Sequence, residues 1–300
     1  MGEFFRVLQQ EAFVQNALAA GLLASIACGV VGTYVVVRRI SYLAGGIAHA
    51  VLGGLGAAVY LRGAWGWTWL DPLVGATVAA LAAAAVIGVV SLRFAQREDT
   101  VISALWAVGM AGGVILLHKT PGYEQDLTSY LFGNILIVSG GELLLIAALD
   151  LLVVALVALL YKPFLAVCFD EPYARTCGVP VQRYYLALLA LTALTVVLLV
   201  TVVGIVMVIA LLTLPVATVG QVARRLGHVM VGSVLLSMVL TTAGLAVSYE
   251  LNLPSGAVII LLAAGLFLAA LIVKALWARR RRRRATGRGP SCPGRPRCEP

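Results

Sequence analysis

Long apolar runs separated by short polar stretches recur along the chain. They lie near 14–37, 41–61, 73–92, 101–117, 143–161, 184–202, 204–220, 228–249 and 257–277. A helix needs about 20 mainly apolar residues to cross a bilayer. The runs also lack the alternation of apolar and polar residues that is typical of barrel strands. Because only helices and closed barrels satisfy their backbone hydrogen bonds in lipid, the pattern predicts an all-α transmembrane bundle of about nine spans.

The stretch 184–220 leaves a choice between eight and nine spans. It is apolar throughout, and it is too long for one ordinary span. Gly204 offers a place for a tight hairpin, and Pro215 offers a place for a break or kink. A single crossing would place Arg224 and Arg225 outside, so the positions of the basic residues favour two crossings. The moderately apolar segment 127–141 predicts a re-entrant or surface piece.

The basic residues indicate which way the bundle is oriented. With nine crossings and the N-terminus outside, 19 of the 22 Lys and Arg residues fall on the cytoplasmic side. Only Arg6, Arg62 and Lys119 fall outside, and the outer connection 65–69 carries three tryptophans. Cytoplasmic loops of membrane proteins are rich in Lys and Arg, and tryptophans mark membrane interfaces. We therefore expect a multi-pass protein of a cytoplasmic membrane, with its N-terminus outside and its C-terminus in the cytoplasm.

Composition excludes a soluble domain. Hydrophobic residues make up 61% of the chain, charged residues make up 12%, and the mean hydropathy is +1.00. Soluble domains are about half apolar and a quarter charged. Residues 1–278 therefore form the membrane domain, whose solvent is the lipid bilayer, and residues 279–300 are predicted to be a basic, disordered cytoplasmic tail. Arginines directly after a span indicate contact with anionic headgroups rather than with nucleic acid.

Motifs for hydrolytic chemistry are missing. The segment 113–120 approaches a phosphate-binding loop, but it has His118 where the second glycine is needed. The chain contains neither a His-Glu-x-x-His helix nor a Gly-x-Ser-x-Gly turn. We therefore predict no catalytic residues, no bound cofactor and no enzymatic activity. Transport energy must come from a partner or from an ion gradient, so a self-sufficient secondary metal transporter is one alternative and an intramembrane enzyme is another.

Two ionisable residues lie deep in predicted spans. His49 is in the second span and Asp150 is in the fifth, with Glu142 at the outer mouth of the same span. Such residues are rare in lipid and usually face the bundle interior. Glycines on both sides of His49 allow helices to approach closely, and a neutral imidazole is a common ligand of zinc. These three residues are candidate ligands for a divalent cation in transit, whereas the alternatives are a hydrogen-bonded His49 and an Asp150 that orients helices.

Six motifs in a fixed order indicate a family. The segment 38–54, RRISYLAGGIAHAVLGG, resembles the signature of permease subunits in ATP-binding-cassette importers for zinc, manganese and iron. The resemblance extends over 14–275 through the motifs at 98–101, 121–136, 169–180, 203–218 and 249–256. It implies a type II-like importer permease that acts as a homodimer and moves a divalent metal ion. It also implies separate ATP-binding subunits that hydrolyse ATP and an extracytoplasmic metal-binding protein.

The resemblance assigns the cytoplasmic loop 168–180 to coupling with the ATPase subunit. Asp170, Glu171 and Arg175 form a short charged element that is compatible with a helix, and Gly178 is a suitable C-terminal cap. Such a helix is expected to dock in a cleft of the ATPase. The alternative is an ordinary connecting loop.

Departures from the family pattern concern the metal. The commonest pattern has an acidic residue one turn before the histidine, where this chain has Gly45, and an Asp where this chain has Asn252. The carboxylate role would then pass to Asp150 or Glu142. Because His49 keeps its nitrogen ligand while the nearby carboxylate is missing, zinc is favoured over manganese and iron.

Overall fold

The computed structural model describes residues 11–93, 98–120, 131–133 and 138–286. Within those ranges the fold consists of helices and contains no strand. The side chains of residue 98 and of residues 278–286 are not described. In chain order the helices are α1 Ala12–Val37, α2 Ser41–Trp65, α3 Pro72–Arg93, α4 Glu98–His118, α5 Gly140–Leu159, α6 Tyr161–Phe169, α7 Glu171–Thr176, α8 Val181–Val203, α9 Ile205–Val219, α10 Leu226–Leu251 and α11 Ser255–Thr286.

The predicted membrane-spanning helices are confirmed. Each of the nine apolar runs is helical, and in the described part of the chain eight helices are long and apolar enough to cross a membrane. The ninth, α9, has 15 residues. At 1.5 Å per residue it measures about 22 Å, which is shorter than a hydrocarbon core of about 30 Å. The count is therefore eight full spans and one short membrane helix.

The chain reverses direction at Gly204, between α8 and α9. The first turns of α8 lie beside the end of α1, where the Arg38 guanidinium sits over the Tyr185 ring. The last turns of α9 lie beside the same end of α1, because Val216 and Val36 line one cavity. The start of α8 and the end of α9 therefore lie on the same side of the bundle, and the predicted hairpin is confirmed. Pro215 lies inside α9 without ending it.

Three glycines close the tip of this hairpin. Gly133 and Gly204 have φ values of +72° and +88°, a region that residues with a Cβ rarely adopt. A Cβ on either residue would overlap the backbone of the other, and a Cβ on Gly256 would overlap the Phe132 carbonyl. Residues 131–133 of the predicted re-entrant or surface segment therefore pack against the hairpin tip and the start of α11. Residues 127–130 and 134–137 lie outside the described ranges.

Helix α1 is the centre of the bundle. It packs against α10, α9, α5 and α8, and it is buried over most of its length. Gly29 lies against Val234 of α10, where a Cβ would come within 2.5 Å of the valine side chain. Ser25 and Thr241 share a hydrogen bond of 3.2 Å across the same interface. In lipid there is no hydrophobic driving force between helices. Close packing of small residues and hydrogen bonds between helices therefore hold the bundle together.

Helix α2 is held between α3 and α4 by its own glycines. Gly53 faces Gly109 and Gly56 faces Gly113, and a Cβ at either position on α2 would lie within 3.0 Å of the α4 backbone. The prediction that the glycines around His49 allow a close helix approach is therefore confirmed.

The predicted cytoplasmic loop contains a short helix, as expected. Helix α7 has six residues and is followed by Gly178 with φ +75°. The Gly178 N–H donates to the Arg175 carbonyl at 3.1 Å, and the Val179 N–H donates to the Ala174 carbonyl at 3.0 Å. These two hydrogen bonds form a Schellman motif, for which a left-handed glycine is favoured.

The boundary of the C-terminal tail differs from the prediction. Helix α11 continues through the arginine run to Thr286, whereas the disordered tail was expected to begin at residue 279. Arginine has a high helix propensity, and cations near a helix C-terminus interact favourably with the helix dipole. Residues 287–300 lie outside the described ranges.

The orientation of the bundle can be tested with Cys177. Among the described cysteines, Cys177 is exposed, whereas Cys28 and Cys168 are buried. If α7 is cytoplasmic, Cys177 in a Cys292→Ser/Cys298→Ser background should react with a membrane-impermeant maleimide only after the membrane is broken. A cysteine introduced at Trp67 should react in intact cells. Labelling of Cys177 in sealed cells would reverse the predicted orientation.

Candidate functional site

His49 lies near the middle of α2, with only 6% of its surface exposed. Its Nδ1 atom is buried and has no hydrogen-bond partner in the described part of the chain. A buried polar atom without a partner typically costs about 1–3 kcal/mol. The alternative in which His49 Nδ1 is hydrogen-bonded to a neighbouring helix is therefore not found within the described residues. In the neutral tautomer whose proton is on Nε2, the lone pair of this nitrogen is available for a cation.

Trp106 of α4 covers one face of His49. The two ring centroids are 4.3 Å apart and the ring planes differ by 20°, which is a stacked arrangement. Tyr42 of α2 also approaches Trp106, with 6.0 Å between the ring centroids, and its hydroxyl forms a hydrogen bond with Ser103. A Cβ at Gly45 would come within 2.9 Å of the indole. Sequence reasoning missed Trp106 because its partners lie on a different helix.

Asp150 is buried on α5, with 4% of its surface exposed. Both of its carboxylate oxygens lack a hydrogen-bond partner in the described part of the chain. Helix α5 packs against α1, and the carboxylate is within electrostatic range of the Cys28 thiol. Among the described residues no group of three or more His, Cys, Asp or Glu side chains is placed to hold a metal ion. His49 and Asp150 therefore do not belong to a group of three or more such ligands among the described residues.

Glu142 has a local structural role at the start of α5. Its Oε2 atom accepts hydrogen bonds from the Ser139 N–H and hydroxyl, both at 2.8 Å. The Ser139 hydroxyl in turn accepts from the Glu142 N–H at 3.3 Å, which completes a capping box. Glu142 is exposed and Asp150 is buried, and eight residues of helix separate them by about 12 Å along the axis. The two carboxylates therefore do not share one site.

Asp170 and the charged residues of α7 form hydrogen bonds and ion pairs with other residues of the same chain. The Asp170 carboxylate accepts from the Tyr173 N–H at 3.0 Å and caps the helix. Glu171 accepts from Arg38 at 2.5 Å and from Arg175 at 2.7 Å. The hydrogen bond from Arg38, more than any other contact, holds the pKa of the Glu171 carboxyl below its ordinary value.

Arg38 joins this element to the central helix. It follows α1 directly, and its guanidinium donates to the Val167 carbonyl at 2.9 Å as well as to Glu171. The same guanidinium lies 5.6 Å from the centroid of the Tyr185 ring, a cation–π distance. Arg38 therefore ties the end of α1 to α6, α7 and α8.

Two large aromatic side chains are exposed on the surface of this element. Phe169 and Tyr173 are 64% and 63% exposed. They are four residues apart, one at the end of α6 and one within α7, on either side of Asp170. Sequence reasoning placed the contact in Asp170, Glu171, Arg175 and Gly178, because residue types do not reveal which charges pair within the chain.

Comparisons with known proteins agree with the helical bundle and its motifs. The model of the ABC 3 transport family matches residues 10–274. A probable metal transport system membrane protein of Chlamydia trachomatis is 39% identical, over 86% of this chain and 88% of its own. A manganese transport system membrane protein of Halalkalibacterium halodurans is 34% identical, over 88% of both chains. The solved structure of PsaBC from Streptococcus pneumoniae in complex with Fab superposes with a TM-score of 0.79 at 32% identity, covering 90% and 94% of the two chains.

Exchanging the charges of Arg38 and Glu171 tests the link between α1 and α7. Arg38→Glu or Glu171→Arg alone should destabilise the purified protein by roughly 1 kcal/mol, because a partly buried charge loses its partner. The double exchange should restore most of that loss in a thermal unfolding assay. Arg175→Ala is the control with little effect, because the Arg175 side chain is 60% exposed. Equal damage in the single and double variants would contradict the pairing.

Proposed function

Since the chain belongs to the ABC 3 transport family, we propose that it is the membrane-spanning permease subunit of an ATP-driven importer for a divalent metal ion. The family match over residues 10–274, which covers the membrane helices from α1 into α11, is the observation that carries this proposal. The subunit is a transport permease and not an enzyme. The names of the relatives from Chlamydia and Halalkalibacterium support a metal ion as the substrate.

The proposed assembly contains two copies of the chain, ATP-binding subunits on the cytoplasmic side and a metal-binding protein outside. A second copy is needed on chemical grounds, because one subunit offers one deeply buried imidazole, at His49. Two copies would present two nitrogen ligands to the passing ion. ATP is bound and hydrolysed by the partner subunit, so this chain needs no cofactor of its own.

His49 gives the path a weak binding step. An unpartnered imidazole nitrogen in a membrane helix offers the ion a ligand that partly replaces its hydration shell. The glycine contacts of α2 with α3 and α4 keep this ligand at a fixed position. A site with few ligands favours transit over storage, because tight binding would slow release. ATP-driven closure of the partner subunits would then change the side from which the site is open.

We propose that the transporter prefers zinc. Manganese is usually bound by carboxylate, carbonyl and water oxygens, whereas zinc accepts imidazole readily. In the described residues no ligand group of three or more forms around His49, and Gly45 supplies no carboxylate. The manganese named for the relative from Halalkalibacterium makes manganese the competing candidate.

The secondary-transporter alternative is weaker. Coupling to an ion gradient normally requires a chain of ionisable groups inside the membrane. In the described spans, His49 is the buried histidine and Asp150 is the buried carboxylate. They lie on α2 and α5, which pack mainly against different helices, α3 and α4 for α2 and α1 for α5. This arrangement does not form a relay.

Substitution of His49 tests its role as a ligand. His49→Ala should lower uptake of radioactive zinc about tenfold or more, at unchanged membrane abundance, because the path loses its nitrogen ligand. His49→Asp should keep part of the activity, whereas His49→Asn should fail. Competition by manganese in the same assay measures the preference between the two ions.

Two carboxylate variants serve as comparisons. Glu142→Gln should transport normally, because glutamine retains the cap of α5. Asp150→Asn should reduce uptake only if that carboxylate contacts the ion. Uptake at the wild-type rate by His49→Ala would remove His49 from the path and leave it as a packing residue.

The exposed aromatic pair on α6 and α7 is the proposed contact with the ATPase. Phe169→Ala together with Tyr173→Ala should weaken copurification of the ATPase subunit and lower uptake, because large exposed apolar side chains supply contact area. Glu171→Ala with Arg175→Ala should act differently, by loosening α7 from Arg38 and lowering the stability of the permease itself.

Trp69→Ala is the matched control, since Trp69 is 72% exposed on the predicted outer side. It should leave copurification and uptake unchanged. Normal assembly of the Phe169 and Tyr173 double variant would place the ATPase contact elsewhere.

A further inference from the structure

We infer that Trp106 determines which ions His49 accepts, by filling the space beside Gly45 and by fixing the plane of the imidazole. The inference rests on the proposed role of His49 as a ligand in transit. It goes further because it assigns a specificity-determining residue on a second helix, α4, to a site whose ligand lies on α2.

The first observation is the stack itself. The centroids of the Trp106 and His49 rings are 4.3 Å apart, with 20° between their planes. A parallel stack leaves the lone pair of the unprotonated nitrogen free, because that lone pair lies in the plane of the imidazole and does not point at the indole. The stack does restrict rotation of the imidazole about its Cβ–Cγ bond. Trp106 therefore fixes the directions in which His49 can bind an ion.

The second observation is the competition between Trp106 and any side chain at position 45. Gly45 lies one helical turn before His49, on the same face of α2. A Cβ at this position would approach the indole to 2.9 Å, which is too close for an ordinary contact. The indole and a side chain at position 45 therefore occupy the same space, and Trp106 excludes a carboxylate from the place next to the imidazole.

Separation of the two helices to admit both groups would break their direct contacts. Gly53 and Gly56 of α2 meet the backbone of α4 at Gly109 and Gly113. At the opposite end of the pair, Tyr42 is hydrogen-bonded to α4. Space for a side chain at position 45 is then expected from a smaller residue in place of Trp106. The indole is only half-buried, so this substitution removes little of the packed interior.

The chemical consequence is a nitrogen site without a neighbouring carboxylate. Imidazole suits zinc, whereas manganese is favoured by carboxylate oxygens. Replacing the indole by a carboxylate at position 45 would give an imidazole and a carboxylate on one face of α2. This change should move the preference from zinc towards manganese without altering His49.

A double-substitution cycle tests the inference, with uptake of radioactive zinc and manganese measured in cells that contain the complete transporter. Trp106→Ala should lower zinc uptake about two- to tenfold, as expected when an aromatic stack is lost, and Trp106→Phe should retain most of it. Gly45→Asp alone should lose uptake and abundance because its side chain meets the indole. Gly45→Asp with Trp106→Ala should recover both, and its ratio of manganese to zinc uptake should rise about tenfold or more above wild type.

The neighbouring glycine provides a matched control. A Cβ at Gly46 would meet Ile102 rather than Trp106, at 2.8 Å. Gly46→Asp should therefore be as damaging as Gly45→Asp, but Trp106→Ala should not rescue it. Rescue of both glycine variants would show a general loosening of the bundle and would overturn the inference.

The outcomes separate the inference from the proposed function. If His49→Ala abolishes uptake while the Gly45→Asp/Trp106→Ala variant fails to recover, or recovers with the wild-type ion ratio, the inference is wrong and the function stands. If His49→Ala transports normally, His49 is not a ligand, so the inference and the proposed role of His49 both fail, while the proposed function as a permease stands. A shifted ion ratio that disappears when His49→Ala is added to the double variant would support the inference.

Discussion

Direct backbone contact between helices is the constraint on which this structure depends. In lipid no hydrophobic effect drives helices together, so association requires close packing, and close packing requires that no Cβ intervene. The bundle meets this requirement where Gly29 and Gly32 of α1 lie against α10 and α9, and where Gly53 and Gly56 of α2 lie against α4. Each contact fixes the distance and the register of two helices. The positions of His49 and Trp106 follow from the contact between α2 and α4, because a shift along either helix would separate their rings.

The same constraint makes α1 the element through which the cytoplasmic end is connected to the membrane. Helix α7 has only six residues and contributes little buried surface of its own. Two contacts attach it to the bundle: the Glu171 carboxylate joins it to Arg38 at the end of α1, and Ala174 packs in a small buried cluster with Val167 and Val181. Because α1 packs against α5, α8, α9 and α10, the contact at Arg38 connects α7 to most of the bundle.

The sequence predicted the membrane helices well because one physical signal governs them. Apolar length identified every span, and the positions of Lys and Arg led to the hairpin at Gly204, where length alone was ambiguous. The candidate site was predicted less well. His49 was identified because an ionisable residue in a span is rare, but Trp106 was missed because an aromatic residue in a span is common. The pairing of Glu171 with Arg38 was missed for a related reason, since it joins positions more than a hundred residues apart, and no local pattern reports such a contact.

His49 and Asp150 illustrate two ways in which a membrane protein keeps a polar group in a span. Both are buried, and each has polar atoms without a hydrogen-bond partner among the described residues. The environments nevertheless differ. His49 lies between glycines and is stacked against the half-buried Trp106 of α4, whereas Asp150 lies on α5, which packs against the central helix α1. The surroundings of His49, together with the ligand chemistry of its imidazole, therefore support the proposal that His49 rather than Asp150 lies on the path of the ion.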